Sequence, residues 1–354
     1  MHVMLGLKYK EYAISRIREN SYLDLSSGES DVSLLDPMKL PLDDINEYYY
    51  TQETILHKLL SLKHKTFPQN IILTAGSDKA LQNCSQAFIS PGDSVIVPVP
   101  TFGRYSFYAK LARANIYSIK FNHFPYEIDT DKIIKEANGK NAKIIYLANP
   151  NNPTGHLLDI KEIEKIAALT KAIIIIDNSL IEYCESQDVF TYKNKNIIDI
   201  RTFSKIYGLA GARIGYAVVR NPCLLKKIKN IISPFEVSVI SAYLAEVALA
   251  KVNLVEKKRK ELKISINYLK DNLPISFMAT DTCCSMIIIE AKFQINLAIA
   301  LKQKGILVIS GEYFHLKSNC VRVTIKNIKS MAILIKALES IWEEKAKCSY
   351  KQES

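Results

Sequence analysis

Short apolar segments alternate with amphipathic segments from residue 71 to residue 219. The apolar segments have the length of strands and are continuous rather than alternating, which is typical of parallel sheets covered on both faces. The predicted strands are Ile71–Thr74, Ser94–Val97, Ile116–Phe121, Lys143–Leu147, Ile173–Asp177, Ile197–Phe203 and Ile214–Val218. The predicted helices between them are Asp78–Ile89, Tyr105–Arg113, Asp131–Glu136 and Asp159–Leu169. The pattern therefore predicts an α/β core with a mostly parallel, seven-stranded sheet.

The pattern changes after residue 220. Two long helices are predicted first, at Ser238–Lys251 and Leu254–Asn272. A compact mixture of short strands and helices follows, from Met286 to Ile341. This arrangement is typical of a smaller α+β domain.

We therefore expect two domains. The large domain is predicted to span residues 40–220, and the small domain to combine residues 1–39 with residues 221–354. The N-terminal segment contains an amphipathic helix pattern at Tyr9–Arg18, and the polar tail from Glu343 is expected to fray.

Composition narrows the class of protein. The 354 residues are 48% apolar and 23% charged, which is typical of a soluble globular protein and excludes a disordered or collagen-like chain. The net charge of +11 comes from lysines dispersed beside acidic residues, which indicates a solvated surface rather than a nucleic-acid interface. No apolar run approaches the roughly 20 residues that span a bilayer. The seven cysteines contain no C-x-x-C pair, so we expect reduced thiols in the cytoplasm and no metal site.

A lysine-centred motif follows the strand predicted at Ile197–Phe203. Lys205 lies among hydroxyl-bearing and small residues. A lysine in such surroundings can be desolvated, and it then becomes a nucleophile toward carbonyl groups. Arg213 follows in the same motif and offers two parallel hydrogen bonds to a phosphate group.

Three further motifs lie at predicted strand ends, where open α/β sheets bind ligands. The turn at 149–155, Asn-Pro-Asn-Asn-Pro-Thr-Gly, holds an amide side chain rigidly. Asp177 ends an apolar strand, where a carboxylate needs a cationic partner such as a pyridinium. The turn at 76–78, Gly-Ser-Asp, opens a predicted helix whose free N–H groups attract a phosphate. Each motif alone also fits an ordinary cap, turn or surface residue.

The order and spacing of these motifs resemble the fold-type-I pyridoxal-phosphate enzymes of the class I/II aminotransferase superfamily. Histidinol-phosphate aminotransferases and threonine-phosphate decarboxylases are the most similar in sequence pattern, and the resemblance extends from about Tyr22 to Trp342. The resemblance implies a fold-type-I architecture, pyridoxal 5′-phosphate as the cofactor, small-molecule amino donors and acceptors, a homodimer and a role in amino acid metabolism. Neither nucleic acid nor a membrane is expected as a partner.

The resemblance also implies a role for each matching residue. Lys205 would form a Schiff base with the cofactor and move the substrate α-proton, while Asp177 would pair with the pyridinium nitrogen. Arg322 would clamp the substrate carboxylate, and Tyr48 would reach the phosphate site of the neighbouring subunit. Phe102 would stack on the ring, and Asn152 would hydrogen-bond the ring hydroxyl. Phosphate binding is implied for the backbone of Ser77 and Asp78 and for Thr202, Ser204 and Arg213.

Two positions depart from the resemblance. Relatives read Asp-Glu-Ala-Tyr after the strand aspartate, whereas residues 177–180 here read Asp-Asn-Ser-Leu, so Leu180 replaces a tyrosine that bonds the ring oxygen. Relatives carry an arginine at the position of Ile309, which cannot bind a substrate phosphate. Polar residues that could substitute lie nearby, at Tyr313, His315 and Lys317.

We therefore expect a pyridoxal-phosphate-dependent aminotransferase that acts on a small amino acid or amino-alcohol derivative. Decarboxylation of an amino acid such as threonine phosphate is the first alternative, because sub-ångström positioning decides which bond at the substrate Cα breaks. A non-catalytic protein that keeps the fold is the second, motivated by residues 178–180 and 309. A basic nucleic-acid-binding protein is a more distant alternative.

Overall fold

The computed structural model describes residues 22–30, 45–46, 48–49, 54–121, 123–184 and 191–350, without the side chains of 348–350. The helix predicted at Tyr9–Arg18 lies outside these residues. No helix in the described part of the chain is long and apolar enough to cross a membrane.

The described strands and helices are numbered in chain order. The strands are β1 (Leu23–Asp24), β2 (Ile71–Thr74), β3 (Ser94–Val99), β4 (Asn115–Lys120), β5 (Ile144–Ala148), β6 (Ile173–Asp177), β7 (Ile197–Thr202), β8 (Gly215–Val219), β9 (Phe277–Ala279), β10 (Met286–Ala291), β11 (Ile306–Leu307), β12 (Ile309–Ser310) and β13 (Cys320–Thr324). The helices are α1 (Ile55–Lys63), α2 (Ser77–Phe88), α3 (Arg104–Leu111), α4 (Thr130–Gly139), α5 (Ile160–Leu169), α6 (Pro222–Lys229), α7 (Val239–Ala250), α8 (Val252–Asp271), α9 (Leu297–Gln303) and α10 (Ile328–Tyr350).

The larger sheet has seven strands in the order β2-β8-β7-β6-β5-β3-β4. Strands β3 to β7 pair in parallel, and β8 runs antiparallel to both of its neighbours. The predicted mostly parallel, seven-stranded sheet is therefore confirmed. The central strand β6 is apolar on both faces, with Ile174, Ile175 and Ile176 fully buried, because helices pack against both sides of the sheet.

The smaller sheet has four strands in the order β12-β13-β10-β9, all paired antiparallel. A separate parallel pair joins β1 to β11, with Leu23 opposite Ile306. This pair fixes residues 22–30 against the C-terminal part of the chain. The polar loop that follows β1 can therefore reach the ligand-binding edge of the larger sheet.

Local capping explains several helix starts. Asp159 accepts a hydrogen bond from Lys161 N before α5, and Ser238 accepts one from Ser241 N before α7. Helix α1, which the hydrophobic pattern does not predict, begins after Thr54, whose side chain accepts from His57 N. Helix α10 continues through the tail that was expected to fray from Glu343.

Cys184 and Cys283 form a disulfide, with Cα atoms 5.4 Å apart. The prediction that the cysteines are reduced is therefore wrong for this pair. The two residues are 99 positions apart in sequence, and they meet only because the loop after β6 packs against the turn before β10, so cysteine spacing does not reveal the bond. The other cysteines with described side chains are free: Cys84, Cys223, Cys284 and Cys320.

A buried ion network supports the loop after β6. Glu182 is 3% exposed and accepts from Lys63 Nζ at 3.0 Å and from Arg201 Nη1 at 3.1 Å. Arg259 of α8 donates through Nε to the Glu182 carbonyl oxygen at 2.8 Å. Removing one partner from such a buried network typically costs about 3–5 kcal/mol of stability, so the loop that follows Asp177 is held firmly.

Candidate active site

A cavity of about 600 Å³ opens at the carboxyl ends of the parallel strands. This is the edge where open α/β sheets bind ligands. Every predicted site residue except Tyr48 lines it: Ser77, Asp78, Phe102, Asn152, Asp177, Thr202, Ser204, Lys205, Arg213 and Arg322. Residues dispersed over most of the chain therefore meet in one place.

Asp177 ends β6 at the base of the cavity and is 8% exposed. Its Oδ1 accepts from Ser179 N at 3.0 Å, and its Oδ2 accepts from the Tyr105 hydroxyl at 2.9 Å. Burial raises the pKa of Asp177, and the hydrogen bonds from Ser179 and Tyr105 oppose that rise, as does the charge of Lys205. The carboxylate is therefore fixed in position and suited to a cationic ring nitrogen.

The N-terminus of α2 and Arg213 approach each other closely. Gly76 precedes α2 with φ +86°, and a Cβ there would lie 2.4 Å from Arg213 Nη2. A Cβ on Gly215 would lie 2.7 Å from Ser77 N. Only glycine fits at these positions, and their backbones leave the first N–H groups of α2 beside the guanidinium. This arrangement is a cradle for an anion such as a phosphate.

Hydroxyl groups extend the cradle along the end of β7. Thr202 Oγ1 donates to Ser204 Oγ at 2.9 Å, and Ser204 N donates to Thr202 Oγ1 at 3.1 Å. Arg213 Nη1 donates to Ser204 Oγ at 3.5 Å and to the Ala210 carbonyl oxygen at 3.0 Å. Thr202, Ser204 and Arg213 are thus joined by hydrogen bonds into one group beside the N-terminus of α2.

Lys205 extends from the end of β7 toward the N-terminal loop. Its Nζ donates to the Gly28 carbonyl oxygen at 3.2 Å. A Cβ on Gly28, which has φ +64°, would lie 2.5 Å from Met286 Cε and 3.3 Å from Lys205 Nζ. The loop backbone at Gly28 is therefore so close to Met286 and Lys205 that no side chain fits there, and the loop closes one side of the cavity.

Asn152 and Arg322 are hydrogen-bonded neighbours in the cavity wall. Arg322 of β13 is 4% exposed and donates through Nη1 to Asn152 Oδ1 at 3.1 Å, and through Nη2 to the Ser26 carbonyl oxygen. With its Oδ1 accepting from Arg322, Asn152 presents its Nδ2 donors for a ring oxygen. The guanidinium itself lines the cavity, where an anionic substrate group can meet it.

The donor set suits a planar ring with a phosphate at one end. The set combines an anion cradle, a stacking side chain at Phe102, an amide donor, a buried carboxylate and a lysine amine. These are the groups that pyridoxal phosphate requires, so the residues present fit that cofactor.

Comparison with known proteins decides the family. Residues 39–338 match the model of the family described as aminotransferase class I and II. The chain belongs to this family. Membership confirms the predicted fold-type-I architecture, the aminotransferase activity and the pyridoxal 5′-phosphate cofactor.

Two relatives of this aminotransferase are both named histidinol-phosphate aminotransferase. The histidinol-phosphate aminotransferase of Methanococcus aeolicus is 31% identical over 315 residues, which cover 85% of this chain and 83% of the relative. That of Ruminiclostridium cellulolyticum is 29% identical over 340 residues, covering 90% and 92%.

Solved structures show the same fold. Histidinol-phosphate aminotransferase from Sinorhizobium meliloti, in complex with pyridoxal-5′-phosphate, superposes with a TM-score of 0.80 at 20% identity and covers 91% of both chains. L-threonine-O-3-phosphate decarboxylase from Porphyromonas gingivalis gives a TM-score of 0.72 at 21% identity, covering 91% of this chain and 99% of that one.

Tyr48 lies away from the cavity of its own chain. It is 70% exposed and packs on Phe235, with ring centroids 4.6 Å apart. Leu180, the residue in place of tyrosine, does line the aminotransferase cavity and is 3% exposed. Ile309 is buried in β12 opposite Arg322, and the described cavity lining includes neither it nor the nearby Tyr313, His315 and Lys317.

Sequence reasoning missed several residues of the aminotransferase site. Tyr105 is the most consequential, because its hydroxyl bonds Asp177 and its ring lies edge-on to Phe102, with centroids 5.9 Å apart. The sequence signal that could have found Tyr105 is its spacing of three residues from Phe102, which places both side chains on one face of a turn. Further missed lining residues include Ala148 of β5, Met286 of β10 and, in the loop after β1, Ser27, Glu29 and Ser30.

Tyr105→Phe is expected to move the acid limb of the kcat–pH profile upward by about 1–2 pH units. The phenol stabilises the Asp177 carboxylate, so its removal raises the pKa of that carboxyl further, and a hydrogen bond to a charged group contributes about 1.5–3 kcal/mol. The measurement is the pH dependence of kcat at saturating substrate.

Tyr146→Phe is the matched control. The Tyr146 ring stacks on Tyr105 with centroids 5.4 Å apart, but its hydroxyl bonds Ser85 instead of Asp177. An equal shift of the acid limb in both variants would contradict the role assigned to the Tyr105 hydroxyl.

Proposed function

We propose that this aminotransferase removes the amino group of a small phosphorylated amino alcohol, histidinol phosphate, and passes it to a keto acid. The observation that carries the proposal is the convergence of Lys205, Asp177 and Arg322 in one cavity. The relatives from Methanococcus aeolicus and Ruminiclostridium cellulolyticum, at about 30% identity, support this substrate because both are named histidinol-phosphate aminotransferases.

Asp177 sets the electronic state of the site. When bound, pyridoxal phosphate supplies an aldehyde for primary amines and a ring that withdraws electrons when its nitrogen is protonated. The buried Asp177 carboxylate would hold a proton on that nitrogen, since the two opposite charges stabilise each other. Tyr105 and Ser179 N keep the carboxylate in place.

Lys205 supplies the amine and the proton transfer. Its Nζ is the primary amine in the cavity lining that can hold the aldehyde, and it points to the side closed by the Gly28 carbonyl. When it is not bound to the aldehyde, the free Nζ would be placed to take a proton from the substrate carbon and to give that proton back to the cofactor–substrate pair. Both tasks require Nζ to lie close to the reacting atoms, and the position of Lys205 just after β7 places it in the cavity lining.

Arg322 binds the anionic end of either substrate. A guanidinium matches the geometry of a phosphate and of a carboxylate equally, so one residue can serve the amino-alcohol phosphate and the keto acid in turn. Its bond to Asn152 holds the guanidinium beside the amide that would donate to the cofactor ring. Arg322 would therefore make the contact with the substrate phosphate that Ile309 cannot make.

Tyr48 acts in the neighbouring subunit of a homodimer. The residue is exposed beside further exposed apolar side chains, Ile45 at 59% and Phe235 at 44%, and an apolar patch of this kind favours association with a second copy. Because Tyr48 lies outside its own cavity, a role at a cofactor phosphate requires the partner's cavity.

The visible spectrum tests the proposal. Purified protein with added pyridoxal phosphate is expected to be yellow and to bleach with histidinol phosphate, forming the aminated cofactor. Lys205→Ala should give no adduct that borohydride fixes, whereas Lys226→Ala, which removes an exposed lysine of α6, should behave like the native protein.

Other outcomes have distinct meanings. Bleaching by another amino acid alone would overturn the substrate, and release of carbon dioxide with the amine retained would make the protein a decarboxylase. A yellow band that no donor bleaches would favour the non-catalytic alternative.

Arg322→Lys is expected to lower kcat/KM by about 100-fold through a higher KM for both substrates. Lysine keeps the charge but loses the two parallel hydrogen bonds to the anion. Steady-state kinetics give the result, with the dissociation constant of pyridoxal phosphate measured beside it. Loss of cofactor affinity instead would show that Arg322 acts on the cofactor site rather than on the substrate.

Subunit complementation tests Tyr48. Tyr48→Phe should weaken pyridoxal phosphate binding about tenfold, as loss of a hydrogen bond to a charged group does. At a pyridoxal phosphate concentration that leaves Tyr48→Phe homodimers mostly unloaded, mixed dimers of Tyr48→Phe and Lys205→Ala chains should regain one site of native affinity, because one chain supplies Lys205 and the other Tyr48. Sedimentation that shows a monomer, or mixed dimers that stay inactive, would contradict the shared site.

A further inference from the structure

A carboxylate lies at the phosphate end of the cavity. Asp78 is in the first turn of α2, next to Ser77 and its cradle N–H group, and it lines the cavity. Its side chain is 38% exposed, so water screens its charge only in part. A phosphate dianion bound to the cradle would be repelled by this carboxylate.

Arg104 offsets that charge. Its Nε donates to Asp78 Oδ1 at 2.9 Å and its Nη2 donates to Oδ2 at 3.0 Å, which is the bidentate geometry that stabilises a carboxylate most strongly. The Tyr108 hydroxyl donates to the same Oδ2 at 2.9 Å. The three hydrogen bonds turn the carboxylate oxygens toward α3.

The guanidinium is itself held rigidly. Its side chain is 14% exposed, and it stacks on the rings of Phe107 and Tyr108 at 4.4 and 4.5 Å from their centroids. Burial acts to lower the pKa of Arg104, but the hydrogen bonds and charge of Asp78 outweigh it and raise that pKa. The residue is therefore a permanent cation beside the cradle.

We propose that Arg104 is a positioning residue for the cofactor phosphate, acting through Asp78. It neutralises the carboxylate and holds its oxygens away, so the cradle of α2 and Arg213 receives a dianion without repulsion. The pair also ties the start of α2 to the start of α3, two residues after the stacking Phe102. The inference rests on the proposed cofactor site, and it assigns to Arg104 no contact with the cofactor.

The experiment titrates apoenzyme with pyridoxal phosphate and, in parallel, with pyridoxal, which lacks the phosphate. Arg104→Met is expected to raise the dissociation constant of pyridoxal phosphate about tenfold or more and to leave that of pyridoxal unchanged. The loss should shrink at high salt, because the uncovered Asp78 charge is partly exposed.

The double variant Asp78→Asn with Arg104→Met decides between charge and structure. Removing both charges should restore pyridoxal phosphate affinity to within about threefold of the native protein, since no carboxylate is left to repel the phosphate. Arg113→Met, which removes an exposed arginine just past α3, is the control and should leave both affinities unchanged.

Three results would overturn the inference. Unchanged pyridoxal phosphate affinity in Arg104→Met would show that Asp78 needs no neutralisation. Equal weakening of pyridoxal and pyridoxal phosphate, without rescue in the double variant, would show a purely structural role. Native protein that binds neither ligand would remove the proposed cofactor site and this inference together.

Discussion

The burial of one carboxylate, Asp177, organises the site around it. A charge at the end of a fully apolar strand is costly, and its pKa is raised accordingly, so the surrounding chain must supply donors and a cation. Tyr105 and Ser179 N are the donors, and a bound cofactor with a protonated ring nitrogen would supply the cation. The loop after β6, fixed by the buried Glu182 network, keeps that carboxylate at the base of the cavity.

The larger sheet was readily predicted because its strands are buried on both faces. A strand such as Ile173–Asp177 is recognisable from continuous apolar residues alone, and the structure has the same bounds. The short strand β1 carries no such signal, since it exists only through its pairing with β11. Helix α1 was missed as well, although Thr54 provides a cap, because its exposed side carries apolar residues such as Leu62 at 74%.

The candidate site was predictable where function depends on motifs in one stretch of chain. Asn152 and Lys205 follow strands and Asp177 ends one, and parallel strands bring their carboxyl ends together. What the sequence does not reveal depends on contacts between distant segments. The Gly28 loop meets Lys205 because the β1–β11 pair and bonds from β13 hold it there, and Cys184 meets Cys283 because the loop after β6 packs against the turn before β10.

With no tyrosine at position 180, the proposed roles of Asn152 and Arg322 would depend on each other. Because Leu180 has no hydroxyl, the proposed donor to the cofactor ring oxygen is the amide of Asn152. The orientation of that amide is fixed by Arg322, the same guanidinium that is proposed to bind the substrate anion. An anion that drew Arg322 toward itself would weaken the bond to Asn152 Oδ1, and the amide would pass that change to the ring oxygen. On these roles, substrate capture and cofactor tuning would share one hydrogen bond.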